Sequence, residues 1–334
     1  MIRIGMLSFA HMHAYSYAEC LGQIAQAELV GVADQDPERG QEAANIFDTR
    51  YYESPDVLLT EELDGVIITA ENSRHLELVE IAAGQVPYIL CEKPIADTLP
   101  AGQAVIEVCA QRGTKLQIAF PVRFSPPIQR LKQILEDNEL GRVYAVRTTN
   151  HGSMPGGWFT KQALSGGGAV IDHTVHVIDL LRWFWNTEIT EVYAEVGYEL
   201  LHPGLGIDDA GMLSFKMAND AFGTLDTSWS RPESYPTWGD VTIEVIGEQG
   251  IIEADAFGQQ IQVYSDAAGK GNWIHWGSNA DLGLIQDFVE CIEQRREPSI
   301  TGNDGLRALE VAIAAYQAAQ LGRPITLPLA ETDS

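Results

Sequence analysis

Between residues 2 and 119 short apolar runs alternate with segments of helical periodicity, and this alternation constrains the fold more than any other property of the 334-residue chain. Strand-like runs fall at residues 2–7, 28–34, 65–69, 88–91 and 115–119. Between them, residues 15–26, 37–47, 74–83 and 101–112 repeat their apolar positions at helical spacing. Strands separated by helices of this length must return in the same direction, which predicts right-handed βαβ units and a doubly wound parallel sheet.

After Pro121 the texture changes. Pro126-Pro127 breaks the chain, residues 128–136 read as a helix, and residues 142–150 alternate as a strand. A Gly166-Gly167-Gly168 loop introduces a helix running through Trp185. Strand patterns then follow at 191–198, 210–217, 222–230, 241–247, 250–254 and 260–264, and helices at 281–294 and 305–321 close the chain. This predicts two domains: an α/β domain over residues 1–121, and an α+β domain over 122–330 with a large, mainly antiparallel sheet. Residues 330–334 read as a loose tail.

Charge narrows the partners. Lys plus Arg number 21 against 47 Asp plus Glu, a net charge of −26. Such a surface repels phosphate backbones and anionic lipid, so nucleic acid and membrane are excluded as expected partners, and neutral polar small molecules are favoured. No apolar stretch approaches the roughly 18–20 residues a membrane span needs, and the N-terminus carries no signal-peptide pattern. The four cysteines, Cys20, Cys91, Cys109 and Cys291, form no CxxC pair and read as reduced core thiols. A cytoplasmic protein is expected.

In a doubly wound sheet, ligands bind beyond the carboxyl ends of the strands. The first turn there reads Ser8-Phe9-Ala10-His11-Met12-His13, where a dinucleotide fingerprint would place its glycines at the positions of Ser8, Ala10 and His13. Ser8 and Ala10 are small enough for backbone N–H groups to approach a phosphate. Asp34 ends the second strand, where a carboxylate bonds ribose hydroxyls and repels a 2′-phosphate, so NAD is preferred over NADP. Lys93 leaves the strand at 88–91 between Glu92 and Pro94, placed to project into the crevice. On the helix after the glycines, Asp172, His176 and Asp179 fall at i, i+4 and i+7 on one face. A carboxylate one turn from an imidazole can orient a general base. His173 points elsewhere by about 100°. The same residues offer a rival metal-ligand set.

Glu92-Lys93-Pro94, preceded by the run Thr69 to His75, and the stretch Gly166 to Asp179 together resemble the two signatures of the Gfo/Idh/MocA oxidoreductases. The resemblance spans almost the whole chain. It implies a Rossmann domain, a second domain whose open sheet assembles a homodimer or homotetramer, and hydride exchange between NAD(P) and a sugar, polyol or related carbohydrate. By this resemblance Lys93, Asp172 and His176 are catalytic. His176 takes the hydroxyl proton, Asp172 steadies the imidazole, and Lys93 stabilises the developing alkoxide, with Glu92 orienting it. The cofactor set is Ser8, Phe9, Ala10, His11, Asp34, Thr69, Asn72, His75, Glu92 and Lys93. Arg123, His151, Trp158 and Asp179 are candidate substrate contacts, and Trp229 and Trp238 candidate stacking faces. The departure from the family is the turn without glycines, which leaves open a ligand-binding or regulatory protein of the same fold. His11-Met12-His13 also resembles the HxH pair of metal-dependent amidohydrolases, a reading that requires a barrel. No metal is assigned, and binding at His11/His13 or His173/His176 stays open.

Overall fold

Strand β1 (Ile2–Leu7) is flanked by β2 (Ala27–Ala33) and β4 (Gly65–Ile68), both parallel to it. With β3 (Arg50–Tyr52), β5 (Tyr88–Glu92) and β6 (Lys115–Ala119) these strands form a six-stranded sheet of order β3-β2-β1-β4-β5-β6. The reversal of order beside β1 opens a crevice at the carboxyl ends of β1 and β4. Helices α1 (His13–Gln23), α2 (Pro37–Ile46), α3 (Pro55–Leu58), α4 (His75–Ala82) and α5 (Leu99–Arg112) connect the strands. Local sequence sets several boundaries. Asp36 accepts the Glu38 and Arg39 N–H groups at the start of α2, Thr98 caps α5, and Gly113 ends α5 in the left-handed region. The middle strands β4 and β5 are buried along their full length, as expected for a sheet covered on both faces. Strand β3 had no counterpart in the sequence reading, being three residues long at the sheet edge.

The computed structural model describes residues 1–235, 237–267, 269–275 and 277–330, and its contacts divide the chain into two units. The first comprises Met1–Pro121 with the short segments Ala163–Gly166 and Asp281–Arg307; the remainder of the described chain forms the second.

The second unit begins with α6 (Pro126–Glu136) and β7 (Val143–Gly152). Past the single turn α7 (Gln162–Ser165) comes α8 (Ala169–Trp185), nearly all of it buried. Strands β8 (Ile189–Tyr198), β9 (Asp208–Met217), β10 (Phe222–Ser228), β11 (Gly239–Gly247) and β12 (Gly250–Asp255) follow, and β13 (Gln260–Ser265) and β14 (Lys270–His275) form a separate hairpin. The large sheet has seven strands in the order β12-β11-β7-β10-β9-β8-β15, with β15 at Ile325–Thr326. Among the described residues of this sheet only β7 and β10 pair in parallel, so the mainly antiparallel expectation holds. Helix α8 covers one face: Asn150 Nδ2 donates to the His173 carbonyl, and Thr227 Oγ1 to that of Ala169. After this sheet α9 (Ala280–Gln294) lays Phe288 and Ile292 against Gly65 within the first unit, and α10 (Gly302–Leu321) completes the helices. No helix among the described residues is long and apolar enough to cross a membrane.

Candidate active site

In the first unit the chemistry gathers at the carboxyl ends of β1, β2, β4 and β5. Ser8 occupies the left-handed region at φ 72°, where the dinucleotide fingerprint places its first glycine. The turn is held from within: Ser8 Oγ accepts the Ala10 N–H, and Thr69 Oγ1 donates to the Ser8 carbonyl. The His11 N–H in turn reaches the Thr69 carbonyl. Thr69, expected to meet the cofactor, is thus buried and joins the β4 exit to the first turn. Phe9 packs its ring against Tyr15 and Phe47.

Asp34 is also engaged on the protein side. Its carboxylate accepts the Phe9 N–H at 2.6 Å and the Asp36 N–H at 2.8 Å. Arg39 forks onto it with Nε–Oδ2 at 2.9 Å and Nη2–Oδ1 at 2.6 Å. The sequence reading missed Arg39; its place in the first turn of α2, five residues past Asp34, was the available signal.

Lys93 follows β5 and is buried, and the Lys93–Pro94 peptide is cis. Glu92 holds its backbone, Oε2 accepting the Lys93 N–H at 2.8 Å. The other oxygen, Oε1, lies 2.9 Å from His13 Nδ1 and 3.9 Å from His11 Nδ1. Burial opposes ionisation of Glu92, but the charges of His11, His13 and Lys93 outweigh it and hold the carboxyl well below the usual range. Burial likewise pulls His13 down, yet the charge and hydrogen bond of Glu92 raise its pKa overall. His75 is fully buried, with Nδ1 facing the Pro94 carbonyl at 3.0 Å and Nε2 facing that of Ala70 at 3.3 Å. It clamps the loop after Lys93, and burial lowers its pKa.

These residues fit a dinucleotide without reproducing its usual glycine turn. Helix α1 has no cap from Met12 and no acidic residue in its first turn, and although His11 Nδ1 accepts the His13 N–H, the helix dipole there favours a phosphate. Asn72, whose Nδ2 donates to the Ser165 carbonyl, keeps a buried Oδ1 with no hydrogen-bond partner among the described residues, an acceptor suited to a ligand hydroxyl or amide.

In the second unit Asp172, His176 and Asp179 all lie on α8. Asp172 and His176 are both buried. Asp172 Oδ2 accepts the indole N–H of Trp229 at 3.2 Å and lies 3.3 Å from His173 Nε2. His173 Nδ1 faces the Asn150 carbonyl at 2.9 Å. His173 therefore belongs to the Asp172 environment, contrary to the expectation from helical rotation, because a side chain one residue on can fold back over its neighbour. Trp229, expected as a stacking face, instead orients Asp172 from 57 residues away. Asp179 pairs with Arg123 through Nε at 2.7 Å and Nη2 at 2.5 Å, and that guanidinium lies over Trp183. Trp158 stacks on Phe159 at 3.9 Å. His151 lies next to Asn150 on β7 and so faces away from α8; it sits between Asp226 at 3.1 Å and Asp240 at 3.0 Å.

A six-stranded parallel sheet of this order is the architecture of a dinucleotide-binding Rossmann domain. Residues 2–120 match the oxidoreductase family with an NAD-binding Rossmann fold, and residues 128–253 match the GFO/IDH/MocA C-terminal domain. The chain belongs to the Gfo/Idh/MocA oxidoreductases. It is 30% identical over 313 residues to the myo-inositol dehydrogenase Hyg17 of Streptomyces leeuwenhoekii, covering 92% of this chain and 94% of that protein. It is 25% identical to the myo-inositol 2-dehydrogenase of Thermotoga maritima, covering 98% of each. Among solved structures, GenD2 from gentamicin A biosynthesis in complex with NAD superposes with a TM-score of 0.89 at 24% identity, over 98% of this chain and 97% of that one. The open parallel sheet also removes the metal-dependent hydrolase reading, which required a barrel.

Proposed function

We propose that this oxidoreductase is an NAD-preferring dehydrogenase of a neutral sugar, polyol or related carbohydrate, with Lys93, Asp172 and His176 as its catalytic residues. The observation that carries the reading is the buried lysine at the exit of β5, its backbone fixed by Glu92, in a sheet of dinucleotide-binding order. Relatives named as inositol dehydrogenases support the substrate class. When bound, the nicotinamide supplies the acceptor for a carbinol hydride. His176 takes the hydroxyl proton. Asp172, held by the Trp229 N–H, steadies the imidazolium that results. Lys93 donates to the reacting oxygen and stabilises the alkoxide charge as it develops. Asp34 favours NAD in two ways. Its charge repels a 2′-phosphate, and it occupies both forks of Arg39, the guanidinium that would otherwise receive one. The four cysteines are all buried and unbridged, which suits a reducing cytoplasm. The face of the seven-stranded sheet opposite α8 exposes Met212 and Phe222 and suits self-association as a dimer or tetramer.

Titration with NAD and NADP, followed by a sugar and polyol panel read at the NADH absorbance, tests the proposal. NAD should bind more tightly than NADP, and Lys93→Ala and His176→Ala should each lower kcat by about 100-fold or more. Near-parental rates in both variants, or tight NADP binding without NAD binding, would refute it.

A further inference from the structure

His11, His13 and Glu92 each bring one ligand atom to a cluster in which those atoms all lie within 4.8 Å of one another. We propose that this cluster is a binding site for a divalent transition ion of the zinc class, held by two imidazoles and one carboxylate.

Two distances define the cluster: Glu92 Oε1 is 2.9 Å from His13 Nδ1 and 3.9 Å from His11 Nδ1. An ion with bonds of about 2.0–2.2 Å holds tetrahedral ligands roughly 3.3–3.5 Å apart, so both separations from Glu92 need to change by only about half an ångström, and the two imidazole nitrogens close to that spacing from within 4.8 Å. Such a change lies within small rotations of the imidazoles. The donor set decides the class of ion. Two imidazole nitrogens and one carboxylate oxygen suit zinc, cobalt or nickel, whereas magnesium and calcium seek oxygen ligands in greater number.

The surroundings are those of a ligand set as well. Glu92 and His11 are almost wholly buried, so a dehydrated carboxylate gains most from a cation against it. One imidazole is enough to pair with Glu92; a second nitrogen, His11 Nδ1, lies 3.9 Å from the same oxygen while it accepts the His13 N–H. The far oxygen of Glu92 is fixed by the Lys93 N–H at 2.8 Å, the kind of outer contact that orients a metal-binding carboxylate. His13, with 27% of its side chain exposed, gives the ion an approach from solvent. Binding displaces the His13 N–H from His11 Nδ1, where it now donates at 3.1 Å, and frees His13 Nδ1 from the Tyr17 hydroxyl at 3.3 Å and from its direct bond to Glu92, contacts the ion must outweigh. Three protein ligands leave a position for water or an anionic oxygen.

The full chain, stripped with a chelator and titrated with Co²⁺, tests the site. One Co²⁺ per chain should bind with visible d–d absorption, Zn²⁺ should displace it, and paramagnetically shifted ring N–H resonances should count two histidine ligands. His11→Asn, His13→Asn and Glu92→Gln should each weaken Co²⁺ binding by roughly 10-fold or more, with folding checked by circular dichroism. Lys93→Ala keeps the backbone N–H on Glu92 and removes a neighbouring cation, so it should bind Co²⁺ at least as tightly as the parent. A parent protein without d–d absorption at stoichiometric Co²⁺, with fewer than two shifted histidines, or with affinity unchanged in the folded variants, overturns the proposal. None of these readings depends on turnover, so they separate the failure of this site from the failure of the dehydrogenase reading.

Discussion

Two carboxylates from neighbouring strands close on His151: Asp226 from β10 meets Nε2, and Asp240 from β11 meets Nδ1. Arg231 also bonds Asp240, and Thr149 Oγ1 donates to it at 2.7 Å. Burial disfavours the imidazolium, but the hydrogen bonds and charges of both aspartates outweigh it and raise the pKa to about 9. The unfolded value is about 6.5, so the folded state binds this proton more tightly. The resulting stability is fully present below the unfolded pKa and is lost as pH rises through about 9. Thermal melts across this range should show a decline for the parent and a flatter profile for His151→Gln. The variant should be less stable near neutrality, and the two curves should converge in alkali. A variant that keeps the parental slope would remove His151 as the cause. The sequence marks His151 as a polar residue on a strand, yet its partners lie 75 and 89 residues further on, outside any local pattern. The position of Asp34 at the end of β2 was legible in the sequence. Its engagement by Arg39 was not, since that depends on how α2 leaves the strand.

At the scale of the element, the three glycines before α8 show how much of a motif is local. Gly166 has φ +78°, and a Cβ there would lie 2.6 Å from the Asp97 carbonyl oxygen. A Cβ on Gly167 would meet the Tyr316 hydroxyl, and one on Gly168 would fall on the Asp208 carbonyl oxygen. Helix α8 is capped from β9: Asp208 accepts the Gly168 N–H at 2.7 Å and the Val170 N–H at 2.8 Å, and Tyr316 donates to it at 3.0 Å. Burial raises the pKa of Asp208 despite these bonds. Gly168→Ala must therefore move backbone on one side or the other and should cost about 1–3 kcal/mol or more. Gly22→Ala, where the helix surface of α1 leaves open space around the new methyl, should be neutral or stabilising by up to about 1 kcal/mol. Urea denaturation of both variants makes the comparison, and equal midpoints would sink it. The glycine run and the helix after it were readable from the sequence. The reason each position must be glycine was not, because the obstructing atoms come from residues 97, 208 and 316. Elements with weak local signals were missed for the same reason: β3 has three residues and β15 has two, and each exists by pairing with a longer neighbour.

For the whole molecule the alternation of strand and helix was sufficient to give the first sheet as parallel and doubly wound, but neither its order nor its edge strand β3. The second sheet was legible as a set of strands but not as an order, because antiparallel neighbours can be distant in sequence, as β7 and β11 are. Net charge acts at this scale alone. With 47 acidic against 21 basic side chains, the folded chain at −26 holds like charges closer together than the unfolded chain does. Repulsion of this kind destabilises the compact state and is relieved by screening. Raising NaCl from about 0.01 M to about 1 M shortens the Debye length from roughly 30 Å to roughly 3 Å. The melting temperature should rise over this range, most steeply below about 0.1 M, where the screening length falls through the dimensions of a domain. Surface ion pairs such as Arg50–Glu61 and Lys216–Glu191 weaken in the same salt, but exposed pairs are worth about 0–1 kcal/mol each, too little to reverse the sign. Scanning calorimetry in NaCl and in a non-ionic osmolyte of equal osmolality separates screening from solvent exclusion. A melting temperature that is flat or falling in NaCl would mean that the acidic groups are too far apart, or too well paired, for their repulsion to bear on folding.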